Sequence, residues 1–119
     1  MKIIRSLGYA ISGLKACLKT QTNFRTHLLL ASIAVAGSVL LRFSLWKWVA
    51  VLICIGVVLT AELLNTAIEI LCDVVNPGYH PQIKVIKDMA AGAVVISALI
   101  SFISGLLIFI PAIINRINS

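Results

Sequence analysis

Apolar residues fill long stretches of this chain, and the polar positions between them mark where elements begin and end. Met89 to Asn115 contains no charged residue, a run longer than the roughly 20 residues that cross a bilayer as a helix. Ser97, Ser101, Ser104 and Gly105 recur along it at helical spacing, which suits close approach of another helix. Leu28 to Leu41 is a shorter apolar run between His27 and Arg42. It spans if Arg42 and Lys47 extend toward the headgroups and Trp46 and Trp48 sit at the interface. Trp48 to Val75 is long enough to cross and protrude. Upstream, Ile3, Leu7, Ile11, Leu14 and Leu18 share one helical face, and Arg5, Ser12, Lys15 and Lys19 share the other. That division suits a helix lying on the membrane surface; a soluble helix packing on a partner is the alternative.

The pattern therefore predicts one all-α integral membrane domain over residues 1–119: a surface helix over 2–20 and membrane helices over about 28–45, 48–75 and 82–114. Gln21 to Phe24 reads as a short polar connection, and Phe43 to Lys47 as the turn between the first two spans. Asn76-Pro77-Gly78-Tyr79-His80-Pro81, with two prolines and a glycine, is the strongest loop signal. A new helix is expected from Pro81 or Gln82.

Composition agrees: 61% of residues are hydrophobic and 12% charged, against roughly 25% charged in soluble domains. Lys2, Arg5, Lys15, Lys19, Arg25, Lys84 and Lys87 fall on one side of the three spans, and Arg42, Lys47 and Arg116 on the other. The positive-inside rule then places the N-terminus and the 76–88 loop in the cytoplasm. Topology and anionic lipid account for the net charge of +6, and no soluble basic domain is left to bind nucleic acid. Cys17, Cys54 and Cys72 are widely spaced without a CxxC pair, and read as small packing residues.

Charge placement changes the picture most. All four carboxylate side chains, Glu62, Glu69, Asp73 and Asp88, lie in one window. Glu62, Asn65, Glu69 and Asp73 fall within roughly 80° of one helical face. Such a stripe is costly in lipid unless it faces protein, an ion or water. Glu62 lies about 10 Å deeper than Glu69 and about 16 Å deeper than Asp73 along the helix. One carboxylate can thus meet a lipid-borne group while another meets a water-soluble one. Lys84, Lys87 and Asp88 share a face of the next helix and should face the upper stripe. Carboxylates for a hard divalent cation, with lysine beside them, make a polyphosphate site; interfacial ion pairs bracing a helix hairpin are the plainer reading. No Walker motif or kinase glycine loop is present.

The residues Glu62-Leu-Leu-Asn65-Thr-Ala-Ile-Glu69, Asp73, Tyr79-His80 and Lys87-Asp88-Met-Ala-Ala-Gly-Ala-Val resemble the prokaryotic diacylglycerol kinase family. Asn23-Phe24-Arg25-Thr-His27 and the Ala90-Ala-Gly-Ala-Val stretch are closer to the branch that includes undecaprenol kinase. The resemblance implies a homotrimer of three-span chains whose active sites are shared between neighbouring subunits. It implies transfer of the ATP γ-phosphoryl group to a membrane lipid alcohol, undecaprenol ahead of diacylglycerol. It maps the general base to Glu62, a polar neighbour to Asn65, and a Mg²⁺ ligand to Glu69. Nucleotide contacts map to Tyr9, Gly78, Tyr79, His80, Lys87 and Asp88. The chain departs from the pattern at Gln21, where relatives usually carry a second metal-binding glutamate. An amide oxygen can ligate Mg²⁺ but brings no charge. Lys2 also stands where some relatives have arginine, whose bidentate contact lysine does not reproduce. Two other readings follow: a catalytically weak or silent relative acting as a structural or regulatory membrane subunit, and an ion or proton relay along Glu62, Glu69 and Asp73.

Overall fold

The computed structural model describes all 119 residues as four helices: α1 (Lys2–Thr20), α2 (Thr22–Leu40), α3 (Leu45–Val75) and α4 (Pro81–Ile117). Three of them, α2, α3 and α4, are long and apolar enough to cross a membrane. A helix keeps every backbone polar group paired within its own segment, which lipid demands.

The connections differ from the hydropathy reading in two places. Gln21 to Phe24 is not a loop: Gln21 alone is extended, at φ −113° and ψ 109°, and α2 starts at Thr22 instead of near 28. Arg25 explains the sharpness of this elbow. Its Nη1 donates to the carbonyls of Leu18 and Lys19, each at 3.0 Å, and its Nη2 to Thr22 Oγ1 at 3.2 Å. The carbonyls that α1 leaves unpaired are thereby satisfied without intervening loop residues.

The second difference is at the α2–α3 turn, which occupies Leu41 to Ser44, so Leu45, Trp46 and Lys47 are already helical and α2 ends at Leu40 rather than near 45. Phe43 N–H donates to Ser38 O and Arg42 N–H to Val39 O, the paired bonds of a Schellman end. Arg42 takes the left-handed position at φ 53°, where glycine is the usual occupant. Phe43 then folds back against Phe109 of α4, ring centroids 4.9 Å apart, with Lys47 Nζ 5.3 Å from its ring.

The α3–α4 connection is pinned by its own side chains. Asn76 Oδ1 accepts from Gly78 N–H at 3.0 Å, and His80 Nδ1 accepts from Gln82 N–H at 3.2 Å, capping a helix whose first residue is Pro81. Proline suits that position because its missing donor has no helical partner there. Pro111 lies inside α4, as membrane helices tolerate.

Helix α3 is the hub. Both α2 and α4 pack along it, α1 touches α2 and α3, and α4 meets neither α1 nor α2 through its backbone. Ser101 Oγ donates to Cys54 O at 3.3 Å across α3 and α4, so the small-residue stripe of α4 does seat one helix contact. Only nine residues are buried and α4 contributes none of them. Water would not tolerate that much apolar surface. Lipid does.

Candidate active site

At 31 residues, α3 is about 46 Å long, more than the roughly 30 Å of a hydrocarbon core. Apart from Lys47 in its first turn, its polar residues lie from Thr60 onward. Val51, Ile55, Val58 and Glu62 fall within about 60° of one another, and of these Val51, Val58 and Glu62 are buried. The face that α3 turns inward thus runs from aliphatic residues directly into a carboxylate.

Glu62 is 2% exposed, and its Oε2 has no hydrogen-bond partner. An unsatisfied buried polar atom is expensive, so the site is arranged for something that comes to it. One turn on, Asn65 Nδ2 donates to Glu69 Oε1 at 3.5 Å, and Asn65 Oδ1 is likewise buried and unpartnered. Thr66, on the same face as Glu62, is buried, and the thiol of Cys17 lies 3.9 Å from its hydroxyl. That contact holds the end of α1, and so the elbow at Gln21, against the polar half of α3. Pattern reading finds Cys17 as a packing residue but gives no sign of its partner, 49 positions away.

The upper carboxylates are placed differently. Asp73 Oδ1 accepts from Lys87 Nζ at 2.6 Å, across the α3–α4 hairpin. Asp88 Oδ2 accepts from Lys84 Nζ at 2.6 Å within α4. Both pairs are exposed to a large degree. Lys87 meets the upper stripe, as the helix faces suggest, whereas Lys84 pairs within its own helix.

The remaining expected residues are dispersed. Tyr9 is 74% exposed on α1 and Tyr79 is 80% exposed in the loop, and no hydrogen bond or ion pair ties either to the α3 carboxylates. Gly78 and His80 are occupied in shaping the loop, with His80 serving as helix cap. Gln21 sits at the elbow with Nε2 3.4 Å from Thr20 Oγ1. No three His, Cys, Asp or Glu side chains converge on one point. The carboxylate of Glu69, with the Asn65 amide N–H on one oxygen, suits a hard cation such as Mg²⁺, which takes few protein ligands and completes its shell with water and phosphate.

The model of the prokaryotic diacylglycerol kinase family matches residues 8–109. The chain belongs to that family. It is 38% identical over 110 residues to the undecaprenol kinase of Bacillus subtilis, covering 92% of this chain and 89% of that protein. It is 32% identical over 114 residues to the diacylglycerol kinase of Synechocystis sp., covering 95% of this chain and 65% of that protein. It is 29% identical over 103 residues to the diacylglycerol kinase of Escherichia coli K12, covering 87% and 84%. Every candidate site residue from Tyr9 to Asp88 lies within the family match, including Gln21; Lys2 lies outside it.

Proposed function

We propose that this chain is an ATP-dependent lipid kinase that phosphorylates the hydroxyl of a membrane lipid alcohol, undecaprenol in preference to diacylglycerol. The observation that carries it is Glu62: a carboxylate buried beside aliphatic residues, with one oxygen left without a partner. Nucleic acid, peptide or soluble sugar has no reason to reach it there. A lipid hydroxyl does. The name of the undecaprenol kinase relative, at 38% identity, favours the polyprenyl alcohol.

Glu62 takes the proton of the lipid hydroxyl as general base. The oxygen so activated forms a bond to the γ-phosphorus, and the bond from that phosphorus to the bridging oxygen breaks to leave ADP. Asn65 holds Glu69 in place and offers its buried carbonyl oxygen to the reacting groups. Glu69 and, from the elbow, Gln21 are the residues that would hold Mg²⁺, which supplies charge neutralisation on the phosphates when bound. Lys87 and Asp88, with Tyr9 and the 78–80 loop, supply nucleotide contacts. Catalysis then rests on positioning and electrostatics, as phosphoryl transfer generally does.

The exposure of Tyr9 and Tyr79 away from the α3 carboxylates, and an α4 with no buried residue, favour a homotrimer with sites shared between subunits. Positive residues favour α1 lying on the cytoplasmic face with the 76–88 loop on the same side. Gln21 in place of a charged ligand motivates the second reading, a weak or silent family member.

Incubating the purified full-length protein with labelled ATP, Mg²⁺ and either undecaprenol or diacylglycerol tests the proposal. Label on undecaprenol, and less on diacylglycerol, is expected. Label on neither, from a folded protein that binds ATP, would establish the silent reading.

A further inference from the structure

Between α1 and α2 a single residue carries the whole change of direction. Gln21 is extended, with a helix on each side of it. Its N–H donates to Cys17 O at 2.9 Å, continuing α1, and its carbonyl accepts from Arg25 N–H at 3.2 Å, beginning α2. Two soft torsions therefore set the angle between the helices, and a contact beyond the joint has to hold them. Arg25 makes it. From the first turn of α2 its guanidinium reaches back over the joint, Nη1 to the carbonyls of Leu18 and Lys19 and Nη2 to Thr22 Oγ1.

Those carbonyls are exposed, and water could satisfy them as it does at many helix ends. The clasp adds what water does not: a planar fork bonded to both helices at once, which fixes their angle. The angle matters because of where the joint sits. The Cys17 thiol lies 3.9 Å from the Thr66 hydroxyl, and both residues are buried. Gln21 comes four residues after Cys17, and Glu69 three residues after Thr66. Each is therefore within about 6 Å of that contact along its own helix. The Gln21 amide turns Nε2 toward Thr20 Oγ1, 3.4 Å away, and leaves its carbonyl oxygen, the atom that ligates a cation, available.

Resting on the lipid-kinase reading and on Gln21 as its second metal residue, we propose that Arg25 is a positioning residue. By clasping the elbow it fixes where the Gln21 carbonyl oxygen stands relative to the Glu69 carboxylate. Its charge works in the opposite direction, since a guanidinium near a cation site repels the ion. Removing Arg25 thus weakens metal binding if position dominates and tightens it if charge does.

The test measures Mn²⁺ binding, from the electron paramagnetic resonance signal of the free ion, by full-length protein in phosphatidylcholine nanodiscs without nucleotide or lipid alcohol. Arg25→Gln and Gln21→Ala should each weaken binding about tenfold. The double variant should be no weaker than either alone, because aligning an absent ligand gains nothing. Thr22→Val, which removes one acceptor of the clasp and keeps the charge, should weaken binding about threefold; it carries the test if Arg25→Gln does not fold. Additive losses in the double variant, or tighter binding by Arg25→Gln, overturn the proposal. So does unchanged Mn²⁺ binding by Arg25→Gln with a raised KM for ATP, which would make Arg25 a nucleotide contact. Gln21→Ala that binds Mn²⁺ as well as the unaltered protein, while the unaltered protein phosphorylates undecaprenol, overturns the proposal and leaves the kinase reading in place. Weakened binding by Arg25→Gln, with no lipid alcohol phosphorylated by the unaltered protein, supports the clasp and sinks the kinase reading instead.

Discussion

The two carboxylates without an ion-pair partner and the two that hold lysines share a sequence window but not a condition. Asp73 and Asp88 each hold a lysine at 2.6 Å in exposed surroundings. Glu62 is buried without a partner for Oε2, and Glu69 has only an amide, itself incompletely bonded, at 3.5 Å. Exposed ion pairs contribute little to stability: Lys87–Asp73 is inexpensive bracing across the α3–α4 hairpin, and Lys84–Asp88 is a surface pair within α4. Glu62, buried with an unpaired oxygen, is expensive, and that expense has no structural return within the chain. Polar groups kept in membrane at a cost belong to chemistry. The difference teaches that location along the helix, more than residue type, separates bracing from catalysis here.

Four substitutions can break or sharpen that contrast. Glu62→Ala should have the largest effect, lowering turnover by roughly 10³-fold, within the usual range for a general base, while bound ATP is retained by equilibrium dialysis. Glu69→Ala comes next: the Mg²⁺ concentration for half-maximal activity should rise about tenfold or more, read from activity against metal at fixed ATP. Gln21→Glu should raise activity several-fold at limiting Mg²⁺ and much less at saturation, since an added carboxylate strengthens hard-cation binding. Equal gains at both concentrations would remove Gln21 from the metal site. Arg42→Gly, far from either pair of carboxylates, should leave turnover alone and stabilise the protein by about 1 kcal/mol through relief of the left-handed residue, measured as a higher midpoint of thermal unfolding in detergent.

Much of this molecule is legible in the sequence because a bilayer permits so few solutions. An uncharged run such as Met89–Asn115 has to be a helix, and the periodicity of Glu62, Asn65 and Glu69 puts them on one face wherever the helix lies. The pairing of Lys87 with Asp73 also follows from helix faces joined by a short loop. What escapes is set by single side chains reaching over distance. Gln21 to Phe24 looks like a loop because its residues are polar, and only the Arg25 guanidinium on the α1 carbonyls turns it into a one-residue elbow. The α2–α3 turn is misplaced because arginine, not glycine, takes the left-handed position. The seating of Cys17 on Thr66 depends on how helices pack, which no local pattern encodes. The roles of Tyr9, Gly78, Tyr79, His80, Lys87 and Asp88 toward nucleotide rest on family resemblance alone, since one chain does not gather them.

The central claim is that the buried, unpaired carboxylate does the chemistry and the exposed, paired one does not. The most direct measurement is single-turnover phosphorylation of undecaprenol by two isosteric variants, Glu62→Gln and Asp73→Asn, at saturating ATP and Mg²⁺. The account predicts a rate for Glu62→Gln at least about 10²-fold below that of the unaltered protein, and a rate for Asp73→Asn within about threefold of it. Comparable losses in both variants, or a near-normal rate for Glu62→Gln, would contradict it.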